Sequence, residues 1–326
     1  MIGNILDLQP NKVSTDLMQY STVIMGDTGV GKTTAMLKYL KDVCPDKDPL
    51  FLEFEDRFQN ITGIVALKIN SMSDFKSVIS QLKNPKAKER FSCIVVDTAD
   101  KFEEFCERYV LENRDAEILK DVGGFGEGSL RFKSALRNIG VLQNLGYTVH
   151  IIAQSSHSKD FETKQENDSM KLNKNTFSYC REGAFLVGYM WEERGERYIT
   201  FKKTKEYPDL KDTFNLPKKI NVKDLKKILI DTINAMGADA VTNETTINRT
   251  VVQENFVDVK NRGLELGNVL VNNGKLDDAM AVLKKHLGID DDGNIKMFDT
   301  LRETQIDLAK VIVMELEELV TKYNLK

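Results

Sequence analysis

The chain has 326 residues, 41% of them hydrophobic, with 50 acidic against 46 basic residues and a formal net charge of −4. That length admits one large domain of roughly 200 to 250 residues plus a small one, and it excludes a short scaffold that needs disulfides or metals to fold. The four cysteines, Cys44, Cys93, Cys106 and Cys180, are far apart with no CxxC spacing, which argues against a zinc site or a secreted disulfide framework and for reduced thiols in a cytoplasm.

Met1 to Asp16 lacks the basic, apolar and small-residue succession of a signal peptide. The longest apolar runs, such as Cys93 to Val96 and Val311 to Met314, fall far short of the roughly 18 residues of a membrane span. A soluble cytoplasmic protein with no membrane partner is expected. In chain order, Ser21 to Met25 (STVIM) reads as a short apolar strand, followed by a glycine-rich turn and a helix from about Lys32 to Asp42. Pro49 to Glu55 reads as a strand, Ser73 to Lys83 as an amphipathic helix opened by Ser73, and Ser92 to Asp97 (SCIVVD) as a fully apolar, buried strand. Helices follow at about Asp100 to Glu112 and Ser129 to Leu145, then a buried strand at Thr148 to Ala153. This alternation predicts an α/β fold with a mostly parallel sheet covered on both faces.

From Ser155 to Ser178 the chain turns polar and is expected to form a mobile loop or an insertion. Ala184 to Trp191 and Arg197 to Lys202 then predict a hairpin around Glu192-Glu193-Arg194-Gly195, and Val222 to Ala235 a helix. Three helices are expected at about Glu254 to Asn272, Lys275 to Leu287 and Thr300 to Tyr323, with Gly274 and Gly288 as stops. The polar stretch Gly237 to Thr250 suggests a boundary. Beyond it, Ala238 to Lys326 holds 16 acidic and 11 basic residues, a net of −5 that leaves +1 for the rest. Two domains are expected, 1–237 and a small acidic helical domain over 238–326.

Gly26-Asp27-Thr28-Gly29-Val30-Gly31-Lys32-Thr33, followed by Thr34, fits GxxxxGK[ST] and lies between a strand and a helix. The pattern arises by chance in about one chain of this size in a hundred, before that context is required. Its glycines let backbone N–H groups close on phosphates at the positive end of a helix. Lys32 is expected to reach the β and γ phosphates and Thr33 to ligate magnesium. Asp97, at the end of a buried strand, is the candidate second magnesium partner, with the N-cap of the helix near Asp100 as its alternative, and Asp100 is the candidate for that cap. Leu52-Glu53-Phe54-Glu55-Asp56 places Glu53 and Glu55 on one face of a strand end, where hydrolysis needs a base; a solvated strand end is the alternative. Gln154, directly after an apolar strand, could bond a γ-phosphate or be a satisfied polar residue at a strand edge.

The order GDTGVGKTT, LEFED, CIVVDTAD, HIIAQSS resembles the ATPase core of the RecA family, over roughly Ser21 to Leu216. The resemblance implies ATP and Mg2+ as cofactors. It carries the catalytic glutamate onto Glu55, with Glu53 in place of the family's Asp, and the γ-phosphate sensor onto Gln154, with Ala153 in place of Asn. Phe201-Lys202-Lys203-Thr204-Lys205 is similar to the family's late Lys-x-Lys, which makes Lys203 and Lys205 candidate cations for a neighbouring subunit's ATP. A closer resemblance is to phage-encoded nucleotide-binding proteins that keep a RecA-like core and act in recombination with single-strand annealing. Gly124-Phe125-Gly126-Glu127-Gly128 and Gln154-Ser155-Ser156-His157 look like their central signature, and His157 would then border the γ-phosphate region, unless it is an exposed bystander.

The resemblance implies a partner in single-stranded DNA, held by a ring or filament of copies. Two loops are candidates, Arg114 to Ser129 and Ser155 to Arg181, the latter with Lys159, Lys164, Lys171, Lys174 and Arg181 among Phe161, Phe177 and Tyr179. Acidic residues in the same stretch leave a plain solvated loop open. Lys202 to Lys227 is a further basic run whose alternative is a solvated helix face. The acidic C-terminal helices suit a docking element for subunits or for a single-strand DNA-binding or other replication protein. The expected activity is a DNA-stimulated, magnesium-dependent ATPase of phage recombination, in the host cytoplasm. The alternatives are a replicative helicase or helicase loader, or a nucleotide-gated protein-binding module with little turnover.

Overall fold

The computed structural model describes residues 13–55, 58–123, 126–159, 166–236, 256–290 and 292–325. The chain divides into two compact units, one within 10–241 and one holding 242–326. The boundary expected at Gly237 lies outside the described residues.

The first unit is built on one sheet. Its strands are β1 (Thr22–Gly26), β2 (Asp48–Glu53), β3 (Val65–Lys68), β4 (Phe91–Asp97), β5 (Thr148–Lys159), β6 (Glu166–Met170), β7 (Leu186–Glu193), β8 (Glu196–Thr200), β9 (Lys211–Asp212) and β10 (Ile220–Asn221). The order is β10-β8-β7-β1-β5-β4-β2-β3, with β6 beside β5 and β9 beside β7. From β3 through β7 every neighbour along that path is parallel, and β8 and β10 continue it antiparallel. The helices are α1 (Lys32–Val43), α2 (Met72–Leu82), α3 (Pro85–Arg90), α4 (Ala99–Glu112), α5 (Glu127–Leu136), α6 (Asn138–Asn144), α7 (Lys174–Glu182) and α8 (Leu225–Ala235).

The central strands are apolar on both sides because helices cover both faces. Val23, Met25, Leu50, Leu52, Ile94 and Val96 pack with Phe75, Phe102, Phe132 and Leu142 of α2, α4, α5 and α6. The alternate residues Ile24, Phe51, Cys93 and Val95 pack on the other face with Leu40 of α1 and Leu229 of α8. Each fully buried Phe contributes about 1.5–3 kcal/mol relative to exposure. The α/β class and mostly parallel sheet expected from the alternation are what the chain forms. The sheet sets the ends of β1, β5, β4 and β2 side by side, with Gly26 opposite Gln154 and Glu53 opposite Asp97.

Several local expectations are corrected. Ser71, not Ser73, opens α2: its hydroxyl accepts from Asp74 N while the Asp74 carboxylate accepts from Ser71 N, a reciprocal cap that outcompetes a later start. Ser155 to Ser178 is not a loop throughout. β5 runs on to Lys159 and pairs with β6, and α7 follows, capped by Asn173; a backbone ladder needs no apolar side chains, so the pattern stayed silent. The helix expected over Ser129 to Leu145 is two, α5 and α6, and at their junction Asn138 Nδ2 donates to Ala135 O at 2.8 Å, a local bond that competes with the helix ladder.

The second unit packs α9 (Phe256–Asn272), α10 (Leu276–Leu287) and α11 (Ile306–Lys322) around Val259, Leu270, Leu283, Phe298 and Ile312. Gly274 and Gly288, at φ 70° and 71°, end α9 and α10 as expected. The last helix starts at Ile306 rather than Thr300, which belongs to a short turn over Phe298–Thr300. Among the described residues no helix is long and apolar enough to cross a membrane.

Candidate nucleotide-binding site

The loop from Gly26 to Gly31 joins β1 to α1. Gly31 stands at the N-cap of α1 with φ +88°, a left-handed conformation, and a Cβ there would lie 2.7 Å from Cζ of Arg197. The left-handed backbone calls for glycine, while the Arg197 guanidinium, at the end of a flexible side chain, could move aside for a methyl. Lys32 opens α1, and its buried Nζ donates to Gly26 O at 2.7 Å and Asp27 O at 2.8 Å. Thr33 Oγ1 donates to Asp97 Oδ2 at 2.6 Å, across the end of the intervening strand β5. These groups border a cavity of 670 Å³, which Thr34, Glu53, Glu55, Phe58 to Ile61, Thr98, Gln154 and Arg197 also line.

Glu55 lies just beyond β2, where Gln154 Nε2 donates to its Oε1 at 3.5 Å. Asp100 is not the N-cap of α4. Thr98 holds that position, and Asp100 sits buried in the first turn, its Oδ1 accepting from Gln154 N at 3.2 Å. That bond fixes the end of β5 against α4, a better use of a buried carboxylate than an exposed cap.

Burial dominates the electrostatics. It pushes Lys32 below the ordinary lysine range, against the opposing pull of Asp97, Asp100 and Asp27. It raises Asp97, while the Thr33 hydrogen bond and Lys32 hold it down. It also raises Glu53, and the neighbouring charges of Asp97 and Glu55 add to the rise. The Glu53 and Asp97 side chains also hydrogen-bond to each other, holding a proton between them whose place a cation can take.

The residues fit magnesium. Thr33 and Asp97 offer hard oxygen donors next to a phosphate-binding loop, and among the described residues no three acidic, histidine or cysteine side chains gather to cage a metal unaided. Magnesium in such sites takes one or two protein oxygens and completes its shell with phosphates and water.

Lys32, Thr33, Asp97, Glu55 and Gln154 thus meet at one cavity. Lys203 and Lys205 do not: both are exposed after β8 and outside its lining. Lys159 is exposed at the end of β5, Lys171 is exposed between β6 and α7, Lys174 is exposed at the start of α7, and Arg181 Nε donates to Asp209 O at 3.1 Å. Lys164, Gly124 and Phe125 lie outside the described residues. His157 stands on β5 beyond Gln154, outside the cavity lining, and ties the hairpin to the loop: its Nε2 is 3.0 Å from Asp27 Oδ1, and its Nδ1 pairs with Asp168. In the second basic run, Lys202, Lys219 and Lys223 pair with Asp212, Glu193 and Glu196. Sequence reasoning missed Arg197, which no local pattern announces, and Phe58 to Ile61, which close one wall.

The profile of the AAA domain family matches residues 18–214. Over 341 aligned residues, 99% of this chain and 100% of the relative, the sequence is 28% identical to the SPbeta prophage-derived uncharacterized protein YorG of Bacillus subtilis (strain 168). Among solved structures, the RadB recombinase aligns over 58% of this chain and 81% of its own, at 13% identity and a TM-score of 0.33. With its loop, its Thr33–Asp97 pair and a family match over more than half its length, the chain belongs to the AAA domain family.

Proposed function

We propose that this chain is a magnesium-dependent ATPase of phage DNA recombination or replication, which binds single-stranded DNA as an oligomer and promotes annealing or strand pairing. The observation that carries the ATPase reading is the convergence of Lys32, the Thr33–Asp97 pair and the Glu55–Gln154 pair on one cavity. Lys32 exchanges the carbonyls of Gly26 and Asp27 for the β and γ phosphates. Bound magnesium would supply charge neutralisation on those phosphates, with Thr33 and Asp97 as its protein ligands. Glu55 orients the attacking water and takes its proton.

The DNA reading draws support from the path between site and hairpin. Gln154 contacts Glu55 through its side chain, and its carbonyl accepts from Lys171 N at 2.8 Å at the base of the β5–β6 hairpin. A γ-phosphate that recruits Gln154 therefore pulls on the hairpin that carries Lys159 and Lys171. Lys203 and Lys205 are proposed to reach the ATP of a neighbouring copy, and the C-terminal helices to dock subunits or a replication protein. The test measures ATPase rate and particle mass with and without single-stranded DNA. Stimulation and assembly by single strands support the reading. Turnover indifferent to DNA moves the assignment to a helicase loader or a protein-binding module.

A further inference from the structure

Glu53 is a buried carboxylate of the cavity that the hydrolysis steps above leave idle. It ends β2 at 3% exposure, and its Oε1 is buried without a hydrogen-bond partner. Thr98 Oγ1 is likewise buried and unpartnered, and both residues line the nucleotide cavity. They flank Asp97: Glu53 is its register partner on the adjacent strand, and Thr98 is its neighbour in the chain. A fold that leaves two buried oxygens unsatisfied at one spot, on either side of a metal-type carboxylate, is built for something that arrives there. Water alone would satisfy the Thr98 hydroxyl; a hydrated cation would satisfy it and also suit the adjacent Glu53 and Asp97 carboxylates.

Resting on the ATPase reading, we propose that Glu53 is a positioning residue for the metal, accepting hydrogen bonds from water on the magnesium held by Thr33 and Asp97, with Thr98 holding a further water. Glu53 is not the base: its free oxygen is buried at the level of Asp97, whereas Glu55, two residues on, is the carboxylate that meets Gln154. The inner ligands are the pair already joined at 2.6 Å, Thr33 and Asp97, with Glu53 on the strand beyond Asp97. A carboxylate behind the ligands orients their waters and typically sustains ten- to hundredfold of metal affinity.

The test uses the full chain with a non-hydrolysable ATP analogue and Mn2+ as the probe, followed by electron paramagnetic resonance. Glu53→Ala and Glu53→Gln are compared with wild type and with Thr33→Ala. Nucleotide affinity in EDTA is measured for each variant, so that Mn2+ affinity is compared on chains equally loaded with nucleotide. Mn2+ affinity of the nucleotide complex is expected to fall about ten- to hundredfold in Glu53→Ala and by a smaller factor, above twofold, in Glu53→Gln, which keeps one acceptor oxygen. Mn2+ affinity within twofold of wild type in Glu53→Ala, while Thr33→Ala loses it, overturns the proposal and leaves the ATPase reading intact. If Glu53→Ala does not fold, Glu53→Gln decides by the same twofold threshold. A wild-type chain that binds neither nucleotide nor Mn2+ overturns the ATPase reading itself.

Discussion

His150 makes the stability of the ATPase unit depend on pH with a sign and size that can be worked out. It lies in β5 with no exposure, its Nδ1 accepts from Thr22 N at 3.3 Å, and its Nε2 has no partner. Burial lowers its pKa from 6.5 to about 4. The unfolded chain therefore binds one more proton than the folded chain between those values, so stability rises with pH across that window. The contribution is complete above pH 6.5 and is lost as pH falls toward 4. Between pH 7 and pH 5 the loss comes to about 2 kcal/mol. Glu53 and Asp97, whose values are raised, act in the opposite direction, so the measurement has to isolate His150. Urea unfolding followed by Trp191, the single tryptophan, which sits in β7 of the same sheet, reports on this unit. The difference in unfolding free energy between wild type and His150→Gln should shrink by about 2 kcal/mol from pH 7 to pH 5. A difference that stays constant over that range would refute the buried neutral histidine.

Three further outcomes are expected. Lys32→Ala should abolish nucleotide binding by calorimetry, and unchanged affinity would remove the phosphate-loop assignment. Glu55→Gln should leave ATP bound and slow hydrolysis by about a hundredfold, the scale of lost base catalysis; near-normal turnover in single-cycle kinetics would pass the role to Glu53. Gly31→Ala places a methyl against Arg197 in a left-handed conformation, which costs about 1–2 kcal/mol of backbone strain. Its midpoint in urea should fall and its nucleotide affinity with it, whereas wild-type behaviour in both would contradict the loop geometry.

What the sequence disclosed follows the range of its signals. The strand, glycine loop and helix around Lys32 are contiguous, and the run before Asp97 is apolar because both faces of β4 are covered, so both were readable. The β5–β6 hairpin was not, because its strands are polar and hold together through backbone bonds. Asp100 was misread because a carboxylate at a helix start signals a cap, while its actual partner, the N–H of Gln154, is 54 residues away. Arg197 reaches the loop from β8, far along the chain, and no local pattern announces it. Glu53 and Glu55 alternate identically in sequence, and the register of β2 against β4 is what separates a buried residue beside Asp97 from a shallower one beside Gln154.

Steady-state ATP hydrolysis by the purified chain, with magnesium or EDTA and with no DNA, single-stranded DNA or duplex, decides the ATPase assignment. Turnover should require magnesium, vanish in Lys32→Ala and rise with single strands. Absence of magnesium-dependent hydrolysis under every condition, in a folded chain, would contradict it.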